Sequence, residues 1–359
     1  MRLRRSRPDG PGFLRVRRGR GFSYVTSDGE TVTDEETLAR IKALVIPPAW
    51  RDVWICPYPN GHLQAVGVDA AGRKQYLYHE QWRRERDEVK FDRVLEMAAR
   101  LPEFRAQIAA DLELPGLERR RVEAVALGLI DRGVFRVGGE EYAQENGTRG
   151  MATLLRAQVT VSGAEMTFDY IAKSGIRRRV RIEDPALARA VRALKRSRAE
   201  SERLLTYRCP DGAYRELHAE EINARFKELV GEECSAKDLR TWQGTVLAAV
   251  GFGAIAPPTS QRARNKAIRA VMVDVSNALG NTPAIAKSSY VDPRVVAAFE
   301  EGATIAAAMR RDDRVTDLTE QQQIIDRAVI RLITAQQKRA RRAARAVRAG
   351  VARQARAAA

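Results

Sequence analysis

The sequence predicts an α+β protein: a small β-sheet-rich amino-terminal domain, then a larger, mainly α-helical domain containing a three-stranded antiparallel sheet. Three patterns predict it. Strand-like alternation fills residues 21–80, apolar residues at three-and-four spacing take over from Lys90, and a short run of strand signals interrupts them between residues 157 and 182. At 359 residues, more than one core is expected. The composition shifts divide the chain into a basic flexible arm (1–20), a β-rich domain (21–85), a larger, mainly helical domain (90–325) and a basic helical or disordered tail (326–359).

Met1 to Arg20 is dense in Arg, Gly and Pro, which reads as a mobile arm. Strands follow at Phe22–Val25, at Thr31–Thr33 after the Asp28-Gly29 turn, at Val53–Ile55, at Leu63–Val66 and at Gln75–Tyr78. A short helix over Asp34–Leu44 ends before Pro47-Pro48, which cannot continue it. Farther along, Val94, Leu95, Ala98, Leu101, Phe104 and Ile108 share one helical face, and Val122, Val125, Ala126, Leu129 and Ile130 repeat the pattern. The three interrupting strands are Ala157–Val161, Glu165–Ala172 and Arg177–Ile182, joined by Ser162-Gly163 and Lys173-Ser174-Gly175 turns. Asp184 then reads as an N-cap with Pro185 in the first helical position, and Gly280 as a helix C-cap. From Gln336 onward the chain is Ala and Arg without a single acidic residue.

Charge narrows the partners. Lys and Arg number 63 against 46 Asp and Glu, a formal charge of +17 that repels itself unless a polyanion neutralises it. Nucleic acid answers that requirement through counterion release. A membrane surface answers it poorly, because no stretch opposes a Trp/Phe/Leu face to a basic one. No apolar run approaches the roughly 18 residues that would span a bilayer. Cys56, Cys209 and Cys234 are too few and too scattered for a disulfide framework and suggest a reducing compartment, the cytoplasm. Only His62, His79 and His218 occur, with no CxxC or HExxH, so no metal site is expected. Gly67–Lys74 has the outline of a phosphate loop but lacks its Gly-Lys-Ser/Thr ending, so no nucleotide cofactor is expected.

Three segments hold basic residues in unusual places: Arg136 within Phe135-Arg-Val-Gly138, Lys173 at a hairpin tip, and Arg240 within Lys237-Asp-Leu-Arg-Thr-Trp242. Each alone has an ordinary explanation: a snorkelling arginine, a solvated turn lysine, an ion pair with Asp238. The segment Gly280-Asn-Thr-Pro-Ala-Ile-Ala-Lys-Ser-Ser-Tyr290 changes that. In this order the motifs resemble the type IB DNA topoisomerases of the small poxviral and bacterial kind, across about residues 20–310. Pro47-Pro-Ala-Trp50, Gln64–Gly67 and Gly72–Tyr78 extend the likeness into the family's DNA-contacting sheet domain.

The resemblance implies catalytic roles for Arg136, Lys173, Arg240, Asn281 and Tyr290, and DNA contacts by Arg73, Lys74, Gln75, Tyr76, Tyr78, Tyr142 and Lys237. It also implies duplex DNA as partner, no cofactor, a monomer working in the bacterial cytoplasm at the nucleoid, and two domains closing as a clamp. The expected reaction is nicking by tyrosine attack, a 3′-phosphotyrosyl intermediate, relaxation of positive and negative supercoils, and religation without ATP or metal. The chemistry suits the residues. Guanidiniums grip a phosphate in fixed fork geometry and stay charged. A carboxamide adds a neutral donor. A lysine can protonate the departing 5′ oxygen, and a phenol can form the covalent ester. Many relatives carry His where this chain has Asn281, and smaller viral relatives carry Lys where it has Gly139. Tyr76 and Tyr78 fall on one side of a strand, where they either contact DNA or pack the sheet. Tyrosine recombinases share the Arg–Lys–Arg–Tyr chemistry, but place His three residues before the second arginine, where this chain has Lys237. A purely architectural DNA-binding protein would explain +17 yet leave Asn281–Tyr290 unaccounted for.

Overall fold

The computed structural model describes residues 1–140 and 147–357, with side chains through residue 346. The chain forms two compact units, Met1–Phe91 and Asp92–Ala359. The fold class matches the sequence reading: an antiparallel sheet first, then a helical region with a three-stranded antiparallel sheet.

The first unit is built on β1 (Phe13–Arg18), β2 (Gly21–Thr26), β3 (Arg51–Ile55), β4 (Leu63–Val68) and β5 (Lys74–Tyr78), ordered β2-β1-β3-β4-β5 and antiparallel throughout. Alternation sends Val53, Ile55 and Ala65 to one face, where Ile41 of α1 (Glu35–Ala43) covers them. Asp34 caps α1 by accepting from the Thr37 amide at 2.8 Å. Trp54, Cys56, Leu63 and Val66 fill the opposite face.

The flexible arm read over residues 1–20 needs correction. Phe13–Arg18 is a strand, and Ser6 and Gly10 are tied to Leu63 and Trp54 by hydrogen bonds. The arginines are spent internally: Arg15 donates to the carbonyls of Ile46, Pro47 and Trp50, and Arg4 lies 3.7 Å over the Tyr58 ring. A charge count cannot tell such arginines from solvated ones. The strand read at Thr31–Thr33 reduces to a single bridge between Val25 and Thr31.

In the helical region, α2 (Glu80–Leu112) starts earlier than the Lys90 expected from spacing and runs through Pro102. Its apolar face packs against α3 (Arg119–Gly133). Then come β6 (Val159–Ser162), β7 (Glu165–Ala172) and β8 (Ile176–Glu183), ordered β6-β7-β8. Asp184 and Pro185 start α4 (Pro185–Lys195) as read, with Asp184 accepting from the Leu187 amide. A two-stranded ribbon, β9 (Thr206–Arg208) with β10 (Tyr214–Glu216), was not read from sequence. The helices α5 (Ala219–Val230), α6 (Ala236–Gly253), α7 (Gln261–Leu279), α8 (Pro283–Ser289), α9 (Pro293–Glu300), α10 (Ala306–Asp312) and α11 (Leu318–Ala357) complete the chain.

Residues 326–359, read as tail, also need correction in their first half. Val329 and Ile333 are core residues. Asp326 accepts from buried Arg105 at 2.6 Å and from the Trp242 indole at 2.9 Å, while Arg105 also grips Asp131. This buried network ties α2, α3, α6 and α11 together. Removing one partner of such a pair costs about 3–5 kcal/mol, because the other charge stays buried. Among the described residues, no helix is long and apolar enough to cross a membrane.

Candidate active site

Arg136 is delivered by the turn that ends α3. Val134 adopts a left-handed conformation (φ 54°), and Phe135 is locked edge-on to Phe168 at 5.0 Å and stacked on Tyr170 at 5.8 Å. Burying Phe135 turns the next side chain the other way. Gly138 (φ 82°) lies so close to Gly150 that a Cβ would sit 2.6 Å from the Gly150 Cα, and the Met151 and Ala152 amides donate to the Arg136 and Val137 carbonyls.

Arg240 comes from the first turns of α6. Its ordinary reading, an ion pair with Asp238, does not hold: Asp238 caps its own helix through Ser235 and accepts from Arg93 at 2.7 Å. Arg240 is 3% exposed and donates to the carbonyls of Val134 and Leu279, leaving its Nε without a partner among the described residues.

The end of α7 organises the rest. Gly280 is left-handed (φ 59°), its amide donates to Asn277, and the Asn281 amide donates to Ser276, the pattern of a Schellman motif. Three consecutive carbonyls at this end each accept from a different arginine: Ala278 from Arg178 (2.7 Å), Leu279 from Arg240, and Gly280 from Arg136 (2.8 Å). Arg178 also donates to Val134 at 3.2 Å. Sequence reading missed Arg178. Its signal was available: in β8 it falls in phase with Val180 and Ile182, the inward-facing positions, whereas Arg177 and Arg179 face solvent.

Asn281 accepts from Arg136 at 2.5 Å through Oδ1, which leaves its buried Nδ2 hydrogens unpartnered among the described residues. Thr282 and Pro283 start α8, and Tyr290 ends it as C-cap, its amide donating to Ala286. Gly244 of α6 makes room for it: a Cβ there would lie 2.8 Å from the Tyr290 carbonyl oxygen. The Arg240 guanidinium carbon lies 5.5 Å from the Tyr290 ring centroid.

Four of the five expected catalytic side chains thus meet around one helix end, with Arg178 as an addition. Among the described residues, none of the three guanidiniums has a carboxylate partner. Burial pushes Arg240 down to about 10, with repulsion from Arg136 and Arg178 adding to it and the Tyr290 oxygen opposing it. Arg136 is lowered too, chiefly by burial. The α7 terminus offers roughly half a negative charge against three positive ones.

Lys173 is exposed at the β7–β8 tip, where Ser174 is left-handed (φ 66°). The same hairpin carries Arg178, buried, into the cluster. Lys237 is exposed in the first turn of α6. In the first unit, Tyr76 and Tyr78 are 48% and 39% exposed on edge strand β5, stacked on each other at 6.2 Å, which favours the contact reading over sheet packing. Lys74 shares their face. Gln75 and Arg73 both bond to Asp69, whose carboxyl is held down to about 2 by the Arg73 amide and guanidinium. Tyr142 lies outside the described residues. Among the described residues, Glu140, Glu216 and His218 are spaced like metal ligands, but Arg203 sits 2.9 Å from Glu140 and 3.1 Å from Glu216 and already neutralises them.

Residues 79–314 match the family described as eukaryotic DNA topoisomerase I, catalytic core. The chain belongs to the type IB DNA topoisomerases. Residues 21–69 match a second family, the bacterial DNA topoisomerase IB amino-terminal domain. The DNA topoisomerase 1B of Acanthamoeba polyphaga mimivirus is 27% identical over 311 residues, covering 85% of this chain and 92% of that protein.

Proposed function

We propose that this topoisomerase relaxes duplex DNA by a tyrosine-mediated nick. The Tyr290 oxygen attacks the scissile phosphorus, the bond to the 5′ oxygen breaks, and the 3′-phosphotyrosyl ester holds the strand end while the other end rotates. The reverse attack by the 5′ hydroxyl reseals the strand. One phosphoester replaces another, so neither ATP nor a metal is called for. Lys173 gives its proton to the departing 5′ oxygen, a poor leaving group otherwise. Arg136, Arg240 and the Asn281 amide hold the non-bridging oxygens, on which charge builds in the transition state. Such preorganised donors are worth on the order of 3 kcal/mol each.

What supports this reading is the convergence, among the described residues, of three guanidiniums without a carboxylate partner and a carboxamide with an unpartnered NH2 group beside one phenol. Phosphate contacts by Arg73, Lys74 and Lys237, with Gln75, Tyr76, Tyr78 and Tyr142 against the duplex, would position it without reading sequence. The enzyme works as a monomer.

Supercoiled plasmid, incubated without ATP or magnesium, tests the mechanism. Native protein relaxes it, and Tyr290→Phe binds DNA without relaxing it. Equal relaxation by both removes Tyr290 from the reaction. Lys173→Ala cleaves slowly, and a substrate with a more acidic 5′ leaving group restores its rate. Without that rescue, Lys173 is a plain phosphate contact.

A further inference from the structure

The second half of α11 is left over when fold and active site are accounted for. Up to Gln336 the helix is held by the core. Beyond it, the helix continues to Ala357, about 30 Å at 1.5 Å per residue, and every described side chain from Lys338 to residue 346 is exposed. The family match ends at residue 314, so nothing in it assigns this segment a role.

Its charges are ordered. Lys338, Arg341, Arg342 and Arg345 recur at three-and-four spacing, which gathers them on one face. That face lies opposite the side that Val329 and Ile333 bury earlier in the same helix. Arg339, at its margin, pairs with Glu301 at 2.8 Å. Like charges three and four apart repel, so the stripe destabilises the helix that displays it. Within the same described segment the far face offers Ala340, Ala343 and Ala344, too small to anchor in a lipid surface.

We propose that this stripe is a second DNA-binding surface that lies along the phosphate backbone of duplex DNA. Phosphates relieve the self-repulsion, and the rigid spacing of cations meets a polyanion with one charge per about 1.7 Å of axis. The surface reads no sequence and takes no part in cleavage. It lengthens the enzyme's residence on DNA between nicks. The proposal rests on DNA being the substrate.

Full-length protein and the quadruple variant Lys338→Gln, Arg341→Gln, Arg342→Gln, Arg345→Gln are compared by binding to a plain 40-base-pair duplex across a salt series. Both should melt at the same temperature, since the positions are exposed or lie beyond the core. Each lost phosphate contact lowers the slope of log affinity against log salt by about 0.9, so the variant's slope should fall by about 3 to 4. Its single-turnover cleavage rate at saturating protein should match the native rate. An unchanged slope overturns the proposal while leaving native plasmid relaxation, and hence the proposed function, intact. Loss of vesicle binding (phosphatidylserine/phosphatidylcholine) in the variant, with DNA affinity unaltered, overturns it in favour of a membrane.

Discussion

Arg178 donates to the Val134 and Ala278 carbonyls and so ties the turn carrying Arg136 to the helix end carrying Asn281. It is a positioning residue: its bonds go to backbone, and its effect reaches the phosphate through its neighbours. Charge-assisted bonds of this kind are worth about 1.5–3 kcal/mol. Arg178→Ala should therefore slow single-turnover cleavage by roughly 10- to 150-fold while leaving DNA affinity within about twofold. Arg178→Lys should recover only part of the rate, since an ammonium cannot span both carbonyls as a planar fork does. A parallel fall in affinity and cleavage would instead make Arg178 a direct phosphate ligand. Asn281 is set up differently. Arg136 fixes its oxygen, so its amide hydrogens have a defined direction before DNA arrives.

Among the elements, α6 does the most positioning. It presents Arg240, anchors itself to the Arg105–Asp326 network through Trp242, and lets Tyr290 approach at Gly244. Gly244→Ala should push the Tyr290 backbone away, costing about 1–3 kcal/mol of stability and cutting cleavage at least tenfold with duplex binding retained. Full cleavage activity in that variant would show that Tyr290 tolerates displacement. The elements legible in the sequence were those fixed locally. Asp184-Pro185 and Gly280 carry their own start and stop signals, and residues 165–172 alternate between turns. Convergence was legible only through motif order. Arg178 escaped because a run of three arginines reads as solvated, although its phase with Val180 and Ile182 already put it on the inward side of β8. β1 escaped because Phe13 and Val16 fall on opposite faces and arginines fill positions 15, 17 and 18, so no alternation shows, and the first half of α11 because one basic label was spread over two physically different halves.

For the whole molecule, +17 is unevenly used: some arginines are consumed by carbonyls and carboxylates, while others wait on anions. If phosphates take up six to ten of the free cations, affinity for plain duplex should drop by about 10³–10⁵ between 50 and 200 mM salt. A drop below tenfold would mean that the basic surface serves solubility instead. The helix end beneath the three arginines has one more consequence. Because carbonyl dipoles rather than acids hold these cations at rest, no proton has to leave or arrive before a phosphate can take their place, and the most depressed of them still titrates only near 10. The charge on Arg240 is thus constant across the neutral range, so loss of that cation puts no bend in a pH–rate curve there.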